Sequence, residues 1–139
     1  MEQPLAIRYP AAKPVESAAP PVRRALVVEA DPATQQVCRA ALESSGFIVG
    51  MVDSGIGAVV AAREELPDLI LIDLQLRDVP GREAIGWLRS NPALRSTPII
   101  VLTANAGDDA ELAEARPDAS VRRPVSLAAM RRVVHEVVK

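Results

Sequence analysis

Leu69-Ile70-Leu71-Ile72-Asp73 decides the fold: four consecutive large apolar residues stop at a carboxylate. A strand with one wet face alternates apolar and polar residues, whereas one that is apolar throughout is covered on both faces, as in a parallel sheet. Pro98-Ile99-Ile100-Val101-Leu102-Thr103 repeats the pattern and again ends in a polar residue. Both runs are short and bounded by turn-forming residues, which favours strand over buried helix.

Working outward, Ala25-Leu26-Val27-Val28 is another apolar strand, followed by Glu29-Ala30-Asp31. Asp31-Pro32 is a helix start, with Asp accepting free N–H groups and Pro at the first helical position. Val37, Ala40, Ala41 and Leu42 are expected on its buried face, and Gly46 closes it. Residues 47–52 read as a strand, and residues 54–66 as a helix with Ile56, Val59, Val60 and Leu66 as its apolar positions. Residues 81–90, with Ile85, Trp87 and Leu88, form the next helix, and the acidic stretch 108–114 a short, weak one. Ala119-Ser120-Val121-Arg122 is the fifth strand. Ser126 caps a last helix with the apolar stripe Leu127, Met130, Val134, Val137 and Val138.

Strand and helix thus alternate five times, the signature of a doubly wound α/β fold: a five-stranded parallel sheet with right-handed crossovers. Such sheets bind ligands at the carboxyl ends of their strands. Glu29, Asp73, Thr103 and Arg123 all fall at strand ends.

Composition narrows the function. The 139 residues suit one domain, and a net charge of -2 gives no field to attract nucleic acid. Aromatic residues are only 2% (Tyr9, Phe47 and Trp87), too few for a base-stacking platform. One cysteine, Cys38, and one histidine, His135, exclude a Cys/His zinc site, and Cys38 reads as a small core residue. His135 reads as a surface or partly packed residue, and Trp87 as packing, with a partner-binding surface as the alternative. No apolar run approaches the roughly 20 residues that cross a bilayer. No secretory leader is visible, so a cytoplasmic location is expected. Residues 1–22, with Pro4, Pro10, Pro14, Pro20 and Pro21, read as a flexible Pro/Ala-rich arm before a domain at 23–139.

The ordered set Val27-Val28-Glu29, Leu71-Ile72-Asp73 with Gly81, Val101-Leu102-Thr103-Ala104 and Arg123-Pro124 resembles the response-regulator receiver family, from Arg24 to the end of the chain. The resemblance implies a (βα)5, flavodoxin-like receiver fold with strand order 2-1-3-4-5. It implies that Asp73 accepts a phosphoryl group from a histidine kinase or phosphotransfer protein. Thr103 and Ala104 would contact the phosphate, and Arg123 stands where the family carries a Lys. Glu29 and the backbone carbonyl of Gln75 would serve Mg²⁺. Output would be contact with a downstream protein through the fourth helix, fifth strand and fifth helix, at positions such as Ser120, Arg122 and Met130. No DNA-binding domain is expected, and homodimerisation is left open.

Four departures qualify that picture. The second acidic position after the first strand is Ala30, whose methyl cannot coordinate a hard cation, so Mg²⁺ affinity is expected to be low. Arg123 is a planar, permanently charged fork that could hold Asp73 without phosphate. The aromatic switch position on the fifth strand is Ser120, and the segment from Thr103 to Arg123 is short for the family. An alternative is therefore a pseudo-receiver, an interaction module independent of phosphorylation. A small metal-dependent phosphatase and a cyclic-dinucleotide-binding receiver, the latter suggested only by paired arginines, are further alternatives. Asp31 is expected to cap its helix rather than ligate metal, and Glu29 to be either a ligand or a solvated strand end.

Overall fold

The computed structural model describes residues 23–104 and 109–138. The arm expected at 1–22 lies outside the described residues. The elements are β1 (Arg23–Val28), α1 (Pro32–Ser44), β2 (Phe47–Val52), α2 (Gly55–Glu64), β3 (Leu69–Asp73) and α3 (Gly81–Arg89). A 3-10 turn at Pro92–Leu94 leads into β4 (Ile99–Thr103), α4 (Asp109–Ala115), β5 (Ala119–Arg122) and α5 (Leu127–Val137). All neighbouring strands are parallel, in the order β2-β1-β3-β4-β5. This is the flavodoxin-like fold, with its order reversing beside β1.

The uninterrupted apolar runs are explained by the two cores they feed. Successive side chains of a strand point to opposite faces. Ile70 and Ile72 join Leu26, Val28 and Val101 against Ala58, Ala62, Ile85 and Leu88 of α2 and α3. Leu69 and Leu71 join Val27, Ile100 and Leu102 against Cys38, Ala41, Leu42, Met130 and Val134 of α1 and α5. Each fully buried Leu or Ile contributes about 1.5–3 kcal/mol of transfer free energy, so an alternating polar residue in β3 would be costly.

Several expected positions are corrected. On α1 the buried residues are Thr34, Cys38, Ala41 and Leu42, while Ala40 is exposed. That set follows i, i+4, i+7 and i+8, the stripe a 3.6-residue repeat demands. On α2 the core contacts come from Gly55, Ala58 and Ala62, and Ile56, Val60 and Leu66 are 56%, 47% and 50% exposed. Val59, also expected there, does pack against the core, while small residues let the helix lie close to the sheet and leave Ile56 and Val60 outside. Met130, expected on a partner surface, is fully buried in the α1–α5 core. It belongs to the stripe with Val134 and presents nothing to a partner.

Candidate functional site

The strand ends form one cluster because β1 and β3 are hydrogen-bonded neighbours and β5 lies beyond β4. Val28 pairs with Ile72, so Glu29 and Asp73, each one residue further on, emerge side by side. Both are buried. From β5, Arg123 follows Arg122, the partner of Thr103, and the Arg123 N–H donates to the Thr103 carbonyl at 2.9 Å. The Arg123–Pro124 peptide is cis.

The guanidinium of Arg123 ties the cluster together. Its Nη2 donates to Asp73 Oδ2 at 2.7 Å and also to Glu29 Oε1. Its Nη1 donates to Thr34 Oγ1 at 2.8 Å. The Thr34 hydroxyl in turn donates to Asp31 Oδ2 at 2.7 Å, and the Thr34 backbone N–H reaches the same oxygen at 2.9 Å. Asp31 therefore caps α1 through Oδ2, as Asp-Pro at a helix start predicts.

The remaining carboxylate oxygens are held by backbone. Asp73 Oδ1 accepts the Gln75 N–H at 2.9 Å, and Glu29 Oε2 accepts the Asp31 N–H at 2.8 Å. Gln35 Nε2 donates to the Glu29 carbonyl at 2.6 Å, fixing the turn after β1. Burial pushes the Glu29 carboxyl above its ordinary value and the Asp73 charge adds to this; the Asp31 N–H and Arg123 oppose it without cancelling it. For Arg123 burial acts against the charge, but the carboxylates of Asp73 and Glu29 outweigh it and hold the guanidinium above its ordinary value. The fork stays protonated.

The β3–α3 loop closes the cluster. The Gly81 N–H donates to the Leu74 carbonyl at 2.9 Å, and a Cβ at Gly81 would lie 2.6 Å from Leu74 Cα and 2.7 Å from the Asp73 carbonyl oxygen. Only glycine permits that approach. Asp78, in the same loop, accepts the Gly55 and Ile56 N–H groups at 2.9 Å each and so caps α2 from across the cleft. Arg77 pairs with Asp53 on the surface.

The other expected site residues are placed as follows. Thr103 is buried at the end of β4, one residue beyond Leu102, the cross-strand partner of Asp73. Ala104 is exposed just past it. Gln75 is exposed, with its side chain donating to Glu111 at 3.3 Å. Ser120 and Arg122 are exposed on β5, unlike Met130. Glu29 is no solvated strand end, since only 1% of it is exposed. His135 is exposed, and Trp87 is 43% exposed on α3. Burial pushes the Cys38 thiol up to about 12.

Thr34 was not singled out from sequence. The signal was present, because a cap at Asp31 places the residue three further on in the first turn beside Glu29. The Ala30 side chain supplies no ligand, Asp31 Oδ2 accepts from Thr34, and Glu29 and Asp73 share Arg123. Among the described residues no group of three acidic, histidine or cysteine side chains is arranged to hold a metal. No helix among them is long and apolar enough to cross a membrane.

Known proteins match this chain closely. The family model of the response regulator receiver domain matches residues 25–135. The polar-differentiation response regulator DivK of Brucella ovis is 36% identical over 104 residues, covering 73% of this chain and 85% of DivK. The DivK of Brucella anthropi is 35% identical over the same length. Among solved structures, the receiver domain of a Pseudomonas aeruginosa sensor histidine kinase has a TM-score of 0.78 at 32% identity, over 85% of this chain and 98% of that one. That structure has a magnesium ion coordinated in its active-site cleft. The chemotaxis response regulator CheY4 of Vibrio cholerae shares the fold, with a TM-score of 0.77 at 19% identity over 84% of this chain and 98% of that one.

Proposed function

The chain belongs to the response-regulator receiver family, and on that premise we propose that Asp73 is its phosphoacceptor and Arg123 the pocket's resident counter-charge. The chain is a response regulator of two-component signalling, similar to DivK, and a signalling module rather than an enzyme. The observation that carries the proposal is the 2.7 Å contact of Arg123 Nη2 with Asp73 Oδ2 at the carboxyl end of the central strand.

In the transfer step a carboxylate oxygen of Asp73 forms a bond to phosphorus as the donor's bond to phosphorus breaks. The electron pair of that bond leaves with the donor, a histidine of a kinase or phosphotransfer protein. Such transfer depends on positioning and on neutralising the phosphoryl oxygens, and Arg123 brings a planar donor set suited to phosphate. Thr103 supplies a buried hydroxyl at the neighbouring strand end, and the exposed Ala104 beside it carries only a methyl group. The Gln75 N–H holds the second oxygen of Asp73.

Mg²⁺ binding is expected to be weak, because Ala30 removes one carboxylate and leaves Glu29 and the Gln75 backbone carbonyl as the remaining candidates beside Asp73. The pocket is in this sense degenerate. Phosphate added at Asp73 draws Arg123 away from Glu29, and the charge change biases the neighbouring β5. The partner surface is the α4–β5–α5 face, with Ser120 and Arg122 exposed on it. Both kinase and target are expected in the cytoplasm.

The test is incubation with acetyl phosphate and Mg²⁺, followed by intact mass. A single phosphoryl adduct on the wild-type chain, absent from Asp73→Asn, supports the acceptor role. A second reading is favoured by Ala30, which leaves the position after Glu29 without a carboxylate: a pseudo-receiver that signals by contact alone. It predicts no adduct from any donor and unchanged partner binding in Asp73→Asn.

A further inference from the structure

We infer that Thr34 is a positioning residue that latches Arg123 across Glu29 and Asp73, so that the chain supplies the pocket's cation and a divalent metal enters only by displacing it. This rests on the reading of Asp73 as the centre of a receiver pocket.

The argument begins with the number of acceptors. One guanidinium nitrogen, Nη2, serves two buried carboxylates. A long side chain on a loop keeps that geometry only if its rotation is fixed, because each rotatable bond it freezes costs entropy. The second nitrogen supplies the fixing. Nη1 donates to Thr34 Oγ1 at 2.8 Å, across 89 residues of sequence. The hydroxyl has one proton, and it is already spent on Asp31 Oδ2 at 2.7 Å. Thr34 Oγ1 therefore faces Arg123 with its lone pairs and can only accept from it. Asp31, by capping α1 with the same oxygen, sets the direction of the hydroxyl.

The chain Asp31–Thr34–Arg123 thus ends on Glu29 and Asp73, and every link has a donor and an acceptor of the right sense. The side chain of Arg123 is 23% exposed, so it has a route outward, whereas those of Glu29 and Asp73 are only 1% and 9% exposed. A divalent cation approaching the two carboxylates meets a permanently charged group already between them. To bind, it must break both Nη2 contacts and turn the guanidinium off Thr34. Lysine at this position could not do the same, since a single ammonium lacks a second nitrogen to reach Thr34. Removing the Thr34 hydroxyl removes the latch without touching either carboxylate.

The experiment measures Mn²⁺ affinity by electron paramagnetic resonance on the full chain, for wild type, Thr34→Val, Thr34→Ser, Arg123→Ala and the double variant Thr34→Val/Arg123→Ala. Loss of one charge-assisted hydrogen bond corresponds to about tenfold in affinity, so Thr34→Val is expected to bind Mn²⁺ about tenfold more tightly than wild type. Arg123→Ala should tighten it further, and Thr34→Ser should return it to the wild-type value. In the Arg123→Ala background Thr34→Val should change nothing, because its effect runs through the guanidinium. Unchanged or weaker Mn²⁺ binding in Thr34→Val overturns the inference, as does an equal effect in both backgrounds. If Thr34→Val does not fold, Thr34→Ser and Arg123→Ala decide it: a looser Thr34→Ser or an unchanged Arg123→Ala contradicts the latch. Absence of an acetyl phosphate adduct would remove the acceptor reading and leave these affinities readable on their own.

Discussion

Arg123 Nη2 lies 2.7 Å from Asp73 Oδ2 and bridges it to Glu29, so one nitrogen from just beyond β5 serves carboxylates at the ends of β3 and β1. The contact joins positions 50 and 94 residues apart in sequence. It converts two buried like charges, which repel, into a group of lower net charge.

Removing that nitrogen should be felt in stability. Arg123→Met leaves both carboxylates without their cation, and hydrogen bonds to charged groups are worth about 1.5–3 kcal/mol. A loss in that range is expected in urea unfolding, with Arg123→Lys losing less because it keeps the charge. A destabilisation of Arg123→Met no greater than that of an exposed residue such as Arg131→Met would contradict it.

Gly81 fixes where the loop beyond Asp73 runs. Its absent Cβ would meet the backbone of Leu74 and Asp73 within 3 Å, and backbone cannot step aside as a side chain can. Gly81→Ala is expected to cost about 1–3 kcal/mol, the usual range for forced overpacking. It should also shift the amide resonances of Leu74 and Gln75. Wild-type stability and an unmoved spectrum would refute the close approach.

Much of this was legible in the sequence, and the reason is specific. The apolar runs of β3 and β4 must feed two cores at once, which only a covered parallel sheet allows. The polar strand ends then had to share one edge of the sheet, and Glu29, Asp73, Thr103 and Arg123 do. What escaped was the choice of face on amphipathic helices with mixed residue sizes. On α2 the packing requirement was closeness rather than hydrophobicity, so alanines were buried and Ile56 and Val60 left outside. On α5 Met130 lies within the apolar stripe and is buried by it, not on the partner face where the family resemblance would put it. Thr34 and Asp78 escaped because caps and latches depend on which elements become neighbours in space.

The α2 assignment carries its own test. Ile56→Gln and Val60→Thr are expected to change stability by no more than about 0.5 kcal/mol, as surface substitutions do. Ala58→Leu, by contrast, drives extra carbons into the α2–β1 contact and should cost about 1–3 kcal/mol. Thermal or urea unfolding of the three variants distinguishes the faces, and a severe effect at Ile56 or Val60 would reverse them.

Asp78 should show a pH signature. The Ile56 and Gly55 N–H groups it accepts hold its carboxyl below the ordinary 3.8. With a depressed folded value, the unfolded chain binds the extra proton between the two values, so this contribution is complete above 3.8 and fades as pH falls through the folded one. The stability advantage of wild type over Asp78→Ala is therefore expected to be flat near neutrality and to shrink only in that acid window. An advantage that grew on acidification would have the wrong sign.

The most direct measurement is a crystal structure grown in millimolar Mn²⁺, with anomalous scattering used to locate the metal. The account predicts no anomalous peak between Glu29 and Asp73 in the wild-type chain, with Arg123 still on Thr34, and a peak there in Arg123→Ala. A metal seated between the two carboxylates of the wild-type chain, with the guanidinium turned out to solvent, would contradict it.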